Sequence, residues 1–307
     1  MAHSRFLAPE LSIVWSVIEY TATVAVTLTL NNQIRPYFQK LIDIDTYLRI
    51  GTKYYTSTRS KMLICTFILW AIRFFYTVLY SIWFPNYEDL SLFLISQFSL
   101  LALDLNRVWR FILLDMTRYR LKMLRRRMEE MKNYNFYCYV SNNKTLKQSR
   151  IRFCLDLYKN LADALDTVLP ELYASLFISV ICTVPKIILN AYHILLVIED
   201  MEPIASVGFS ALHVTQVTLF IFAPCLVVEQ YGVEVERIKL LLMHKLFDEP
   251  DDSTKGEVNL FLRYTELRPF QCRIWRILPI TIALPLDLLN LCTTYIIVLI
   301  NFTHLYG

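Results

Sequence analysis

The sequence predicts an all-α protein, a polytopic membrane helical bundle with six spans, on three observations. Hydrophobic residues make up 55% of its 307 positions and the mean hydropathy is +0.40, more apolar surface than a water-facing domain of this size can hide. Six stretches stay apolar over about 20 residues, the length a helix needs to cross roughly 30 Å of hydrocarbon. Five glycines against 19 tyrosines and 19 phenylalanines favour long helices over the turn-rich strands of a barrel.

The first span, at about 11–30, runs into Asn31-Asn32-Gln33 without a small-residue cleavage site, so it reads as a retained helix and not a signal peptide. The next two occupy about 62–84 and 90–114, the fourth and fifth 172–198 and 205–231, and the last 274–302. Basic residues alternate between the connections. Six Lys and Arg lie between the first two spans, twelve in the long connection that includes Arg125-Arg126-Arg127, and eight from Arg237 to Arg276, at the start of the last span. Residues 85–89, 199–203 and the tail after Phe302 hold none. Cations stay on the cytoplasmic side because carrying them across costs more, so the C-terminus is expected outside the cell. Counting back through six spans puts the N-terminus outside as well, with Arg5 as the single opposing charge.

The connections are expected to be helical extensions. Asp104 to Met131 is rich in helix formers with its charges spaced for one wet face, and Leu146 to Leu169 leads helically into the fourth span. Only 134–147 and 247–256, the latter with Glu249-Pro250-Asp251-Asp252, read as loops.

Several function classes lose support. A formal charge of +4 is too small for a nucleic-acid partner. His3, His193, His213, His244 and His304 have no metal-ligand spacing, and no phosphate loop or nucleophile motif is present, so no enzyme, cofactor or metal is expected. The seven cysteines sit in predicted spans or cytoplasmic segments, which speaks against a disulfide framework. Two glycosylation sequons, at Asn143 and Asn301, fall on the cytoplasmic side and too near the membrane, respectively. Charges in mid-span cost on the order of 2.5 to 3.5 kcal/mol each and so require partners. Glu19, Arg73 and Lys186 lie near the middles of their spans, and Glu19 is expected to pair with Arg73 or Lys186 as a structural clip. Asp287 is expected at the N-terminus of the last membrane helix, where a carboxylate suits the dipole.

The last span reads Thr294-Tyr295-Ile296-Ile297-Val298-Leu299-Ile300-Asn301-Phe302. It resembles the final helix of the insect gustatory receptors, in which Thr-Tyr and five hydrophobic residues precede Gln-Phe, with Asn301 here in place of Gln. Phe261-Leu262-Arg263-Tyr264, Phe270, Pro285 and Asp287-Leu288-Leu289 are similar to the family's approach to that helix, a cytoplasmic half, a break and a membrane half. The resemblance implies a plasma-membrane chemoreceptor, a homo- or hetero-tetrameric, ligand-gated, nonselective cation channel with seven helices per subunit. Aligned from the C-terminus, the six spans here match the second to the seventh, so the first is expected to be lacking. The implied division is a ligand-binding-type bundle over 1–231 and, over 232–307, a cytoplasmic anchor helix followed by the pore helix.

On a helix, Thr294, Val298 and Asn301 share one stripe, and Tyr295 lies above Phe302. Four such helices at a common axis present rings of small, apolar and amide groups, and a ring of Phe302 closes the pore by dewetting. Thr294, Val298, Asn301 and Phe302 are therefore the expected pore lining. The ligand pocket implied by the family lies in the outer half of the first five spans. There the aromatic and polar residues are Trp15, Tyr20, Tyr76, Tyr80, Trp83, Phe93, Gln97, Tyr192, His193, Phe209, His213 and Gln216, a lining suited to a small organic tastant. Sugar-responsive members carry an acid directly after Thr-Tyr, and Ile296 in that place favours a non-sugar ligand. The alternative expectation is a non-conducting, auxiliary subunit that assembles with full-length receptors. Apart from lipid, other receptor subunits are the implied macromolecular partners.

Overall fold

The computed structural model describes residues 7–83, 90–137, 144–198, 205–274 and 278–306. They form a helical bundle in the chain order α1 (Leu7–Leu30), α2 (Ile34–Leu48), α3 (Thr52–Trp83), α4 (Leu90–Tyr137), α5 (Lys144–Ile198), α6 (Ala205–Asp248), α7 (Asp252–Leu267), β1 (Arg273–Ile274), β2 (Leu278–Pro279) and α8 (Ala283–Tyr306). The chain is a multi-pass membrane bundle, and among the described residues three helices contain stretches long and apolar enough to cross a bilayer: Tyr54–Val78, Gln148–Leu195 and Ser210–Asp248. Shorter apolar stretches, Val14–Leu30 and Ala283–Val298, lie in α1 and α8.

The predicted first span is α1, and a single 3-10 turn at Asn31–Gln33 bends it into α2. In α2 the residues Tyr37, Leu41, Ile44 and Leu48 recur at helical spacing on one buried face. The helix stops where Arg49 adopts φ 50°, the left-handed conformation of a helix C-cap, and its N–H reaches the Asp45 carbonyl. The extensions expected beyond the third and before the fourth span are continuous with them, giving helices of 48 and 55 residues. Pro170 and Pro185 lie inside α5 and Pro224 inside α6, tolerated because neighbouring helices enclose the interrupted backbone.

Four expectations require correction. The last membrane helix begins at Ala283, not at 274, because Arg273–Ile274 and Leu278–Pro279 pair as a two-stranded antiparallel hairpin with Ile274 opposite Leu278. Pro269 and Pro279 lack the N–H a helix needs there, whereas Pro285 falls in the first turn of α8, where none is required. In consequence Asp287 is the fifth residue of α8, exposed and past its first turn, so it does not cap the helix. The loop expected over 247–256 shrinks to 249–251: α6 runs to Asp248, and Asp251 caps α7 by accepting from the Thr254 N–H at 3.2 Å and its hydroxyl at 2.8 Å. Finally, Asp104, Arg107 and Arg110 do not lie on a wet face; all three are buried.

The main hydrophobic core lies at one end of the bundle, the end that gathers α2, α7 and the long ends of α4, α5 and α6. Tyr37, Leu121, Tyr158, Tyr231, Ile238 and Phe261 are completely buried there. Tyr158 meets Phe261 and Phe270 edge to face, with centroids 5.7 and 5.0 Å apart. Tyr37 donates to the Leu113 carbonyl at 2.9 Å, and burial pushes its phenol up to about 12, so it stays a neutral donor at any ordinary pH. Most basic residues of the chain also belong to this end, which we call the basic end. At this end α6 passes unbroken through positions 231 and 232, and Tyr231 and Val235 enter the same core.

Candidate functional site

Asp104 and Arg107 are three residues apart on α4 and so project from one face, from which Asp104 reaches two other helices and Arg107 a third. Asp104 accepts from Arg73 of α3 through Nε at 3.0 Å and Nη2 at 2.5 Å, and from Gln216 of α6 at 2.7 Å. Arg107 reaches Asp104 at 3.3 Å through one guanidinium nitrogen and Glu19 of α1 at 2.6 Å through the other. Glu19 also accepts from Lys186 Nζ of α5 at 2.6 Å and from the Ser179 hydroxyl at 3.0 Å. Five helices thus converge on two carboxylates that are both 0% exposed. In a lipid-facing bundle such pairs neutralise charges that hydrocarbon cannot solvate, and a network tying α1 to α3, α4, α5 and α6 also fixes their rotation and depth.

Of the three mid-span charges singled out in the sequence, Lys186 stands against Glu19, while Arg73 stands against Asp104. Asp104, Arg107 and Arg110 escaped the sequence reading because charges near the end of an apolar span look like the start of a solvated extension. Their i, i+3, i+6 spacing was the available signal, since it puts all three on one face. Arg107 also lies over the Phe220 ring, 5.7 Å from its centroid.

Below this network a small cleft, with room for about one water, is lined by Arg107, Arg110, Ser179, Phe220, Ile280 and Leu284 among others. It sits between α4, α5 and α6 on one side and the hairpin and first turn of α8 on the other. None of the eight described residues expected to face a ligand lines it. Among those twelve, Tyr76 is buried, and Trp15, Tyr20, Gln97, Tyr192, His193, His213 and Gln216 are half-buried. The His193 ring is 3.0 Å from the Ser210 hydroxyl, and Gln216 is held by Asp104. The side chains of Tyr80, Trp83, Phe93 and Phe209 lie outside the described part of the structure, as does that of Phe302.

On α8, Cys292 is buried, and the helix packs on α5 and α6. Thr294, Val298 and Asn301 are exposed, with Val298 at 43%. Thr294 satisfies its hydroxyl on the Asn290 carbonyl of its own helix at 3.0 Å. Their stripe therefore faces away from the rest of the chain. Between α7 and α8, Arg268 pairs with both Asp163 and Asp166 of α5, and Tyr158 donates to its carbonyl at 3.1 Å, so the end of α7 is fastened to α5.

The sequence profile described as 7tm chemosensory receptor matches residues 14–305. The fold is similar to the solved structure of the insect olfactory receptor OR5 from Machilis hrabei in complex with eugenol, with a TM-score of 0.60 at 13% identity over 95% of this chain and 88% of that one. It is likewise similar to the structure of the same receptor described without eugenol, with a TM-score of 0.57 at 15% identity over 94% and 87% of the two chains. No curated protein sequence matches significantly.

Proposed function

Because the chain belongs to the 7tm chemosensory receptor family, we propose that it is a gustatory-receptor-like subunit of a ligand-gated, nonselective cation channel that senses small organic compounds, non-sugar tastants being favoured. The observation that carries this reading is α8. It ends in Thr-Tyr, five hydrophobic residues and Asn-Phe, and its Thr294, Val298 and Asn301 stripe is left unused by the chain's own packing. A helix with one face on α5 and α6 and a mixed polar and apolar stripe opposite is suited to meet copies of itself around an axis. That stripe together with the family supports tetrameric assembly, with this subunit alone or with related ones.

The ligand would enter the outer half of the bundle, among α1, α3, α4, α5 and α6, where Trp15, Tyr20, Tyr76, Gln97, Tyr192, His193, His213 and Gln216 lie on the walls, joined in sequence by Tyr80, Trp83, Phe93 and Phe209. The complex of the Machilis hrabei receptor with eugenol supports a ligand of small aromatic type. Binding would act on α8 through the charge network, which joins the same helices that carry these residues. The subunit would sit in the plasma membrane with the basic end cytoplasmic and the C-terminus outside.

The test is expression, alone and with related subunits, and recording of cation current evoked by a panel of small organic compounds. Asn301→Ala and Phe302→Ala should each change unitary conductance or ion selectivity. Currents indifferent to both changes would overturn the pore assignment. Co-purification with another receptor subunit, with no current change from these substitutions, would instead make the chain an auxiliary subunit.

A further inference from the structure

Asp287 is the only Asp, Glu, Lys or Arg among the 24 residues of α8, and Leu284, Leu286, Leu288, Leu289 and Leu291 surround it in sequence. It is exposed, and its carboxylate has no hydrogen bond or ion pair among the described residues. On the lipid side of such a helix the charge would stand unsolvated in hydrocarbon, at a cost of about 2.5 to 3.5 kcal/mol. At headgroup level it would meet anionic phosphates instead, and an aspartate arm is too short to escape either by reaching past them. Water is the neighbour this carboxylate requires.

Its place around the helix says where that water lies. At 3.6 residues per turn, Asp287 falls about 20° from Thr294 and from Val298 and about 40° from Asn301, and the exposed Asn290 lies within about 60°. Leu286, also exposed, is about 100° away, and the buried Cys292 about 140°. Asp287 and Asn290 therefore continue the stripe of Thr294, Val298 and Asn301 toward the basic end, and Asp287 stands about 21 Å from Asn301 along the axis. The exposed Arg273 of the hairpin lies on the same side of α8, where its charge repels cations.

We propose that Asp287 faces the ion path at the mouth nearest the basic end, where the carboxylates of the assembled copies raise the local concentration of small cations. The proposal rests on the channel reading given above and deepens it, since Thr294, Val298 and Asn301 carry no charge and give the path no means of attracting cations. Fixed acidic side chains around a conduit supply that attraction, and low-dielectric walls concentrate their field. Asp287 also offsets the repulsion from Arg273. The effect is one of fixed charge, so it weakens as salt screens it.

Two measurements test this, and the first needs no current. The full chain, purified into phosphatidylcholine nanodiscs as Asp287→Cys or as Leu286→Cys, is treated with a charged, membrane-impermeant thiol reagent, and modification at each introduced cysteine is followed by peptide mass. Position 287 should react at least about tenfold faster than its lipid-facing neighbour 286, because only the thiolate in contact with water reacts. Equal rates, or faster reaction at 286, overturn the proposal. The second measurement is unitary cation conductance across a range of salt concentrations, in the same expression system as the channel test. Asp287→Asn should lower it at least about twofold in dilute salt and converge on the wild type in concentrated salt. Asp287→Glu, which keeps the charge, should keep the wild-type salt dependence. Conductance unchanged by Asp287→Asn but altered by Asn301→Ala overturns the role of Asp287 and leaves the pore standing. Conductance indifferent to both refutes the pore itself. If Asp287→Asn fails to assemble, Asp287→Glu and the labelling rates decide. A chain that reacts at 287 yet carries no current keeps the water-facing stripe and refutes the channel.

Discussion

Glu19 holds Arg107 and Lys186, and Asp104 holds Arg73 and Arg107, so each carboxylate solvates two cations and the two acids share Arg107. Replacing Glu19 by Gln would leave Lys186 and Arg107 buried and mutually repelling, because removing one partner of a buried pair costs far more than the pair itself contributes. Glu19→Gln should therefore destabilise the protein by about 3–5 kcal/mol. The double change Glu19→Gln with Lys186→Met should recover a substantial part of that loss. Thermal or denaturant unfolding of the purified variants measures both, and additive losses would show that Glu19 and Lys186 are not coupled. Part of this was readable from the residues alone, since an acid and two bases in mid-span demand partners. Which base meets which acid was not. Arg73 and Lys186 lie at similar depth in different spans, and only the rotation of their helices selects between Glu19 and Asp104.

At the level of elements, hydrophobic run length located α1, α3, α4, α5 and α6, and helix-forming composition located the long extensions of α4 and α5. The hairpin before α8 was hidden because Ile274 to Ile282 is as apolar as the helix that follows, and hydrophobicity does not distinguish a buried turn from a span. Its prolines were the legible warning. The α6–α7 junction shows how a cap shortens a loop: Asp251 accepts two hydrogen bonds from Thr254, and only three residues separate α6 from α7. Asp251→Ala should cost about 1 kcal/mol and speed amide exchange in the first turn of α7. Unchanged exchange there would show that packing of Val258 and Phe261, not the cap, sets where α7 begins.

For the whole molecule, the packed core at the basic end and the more exposed helices elsewhere suit a protein held together by its anchor, with lipid around its spans. If the basic end is cytoplasmic, a tag placed after Gly307 should be labelled on intact cells. A tag inserted beside Pro250, between α6 and α7, should be labelled only after permeabilisation. The reverse pattern would invert the proposed topology. The sequence by itself determined the helical class, the membrane setting and the family, because apolar run length, glycine scarcity and the Thr-Tyr to Asn-Phe motif are properties of contiguous residues. Tertiary structure alone decided the charge partners, the small cleft beside Arg110 and the point at which α8 begins. Those depend on how helices rotate against one another, bringing together side chains as far apart as Glu19 and Lys186, 167 positions along the chain, and no local pattern encodes that alignment.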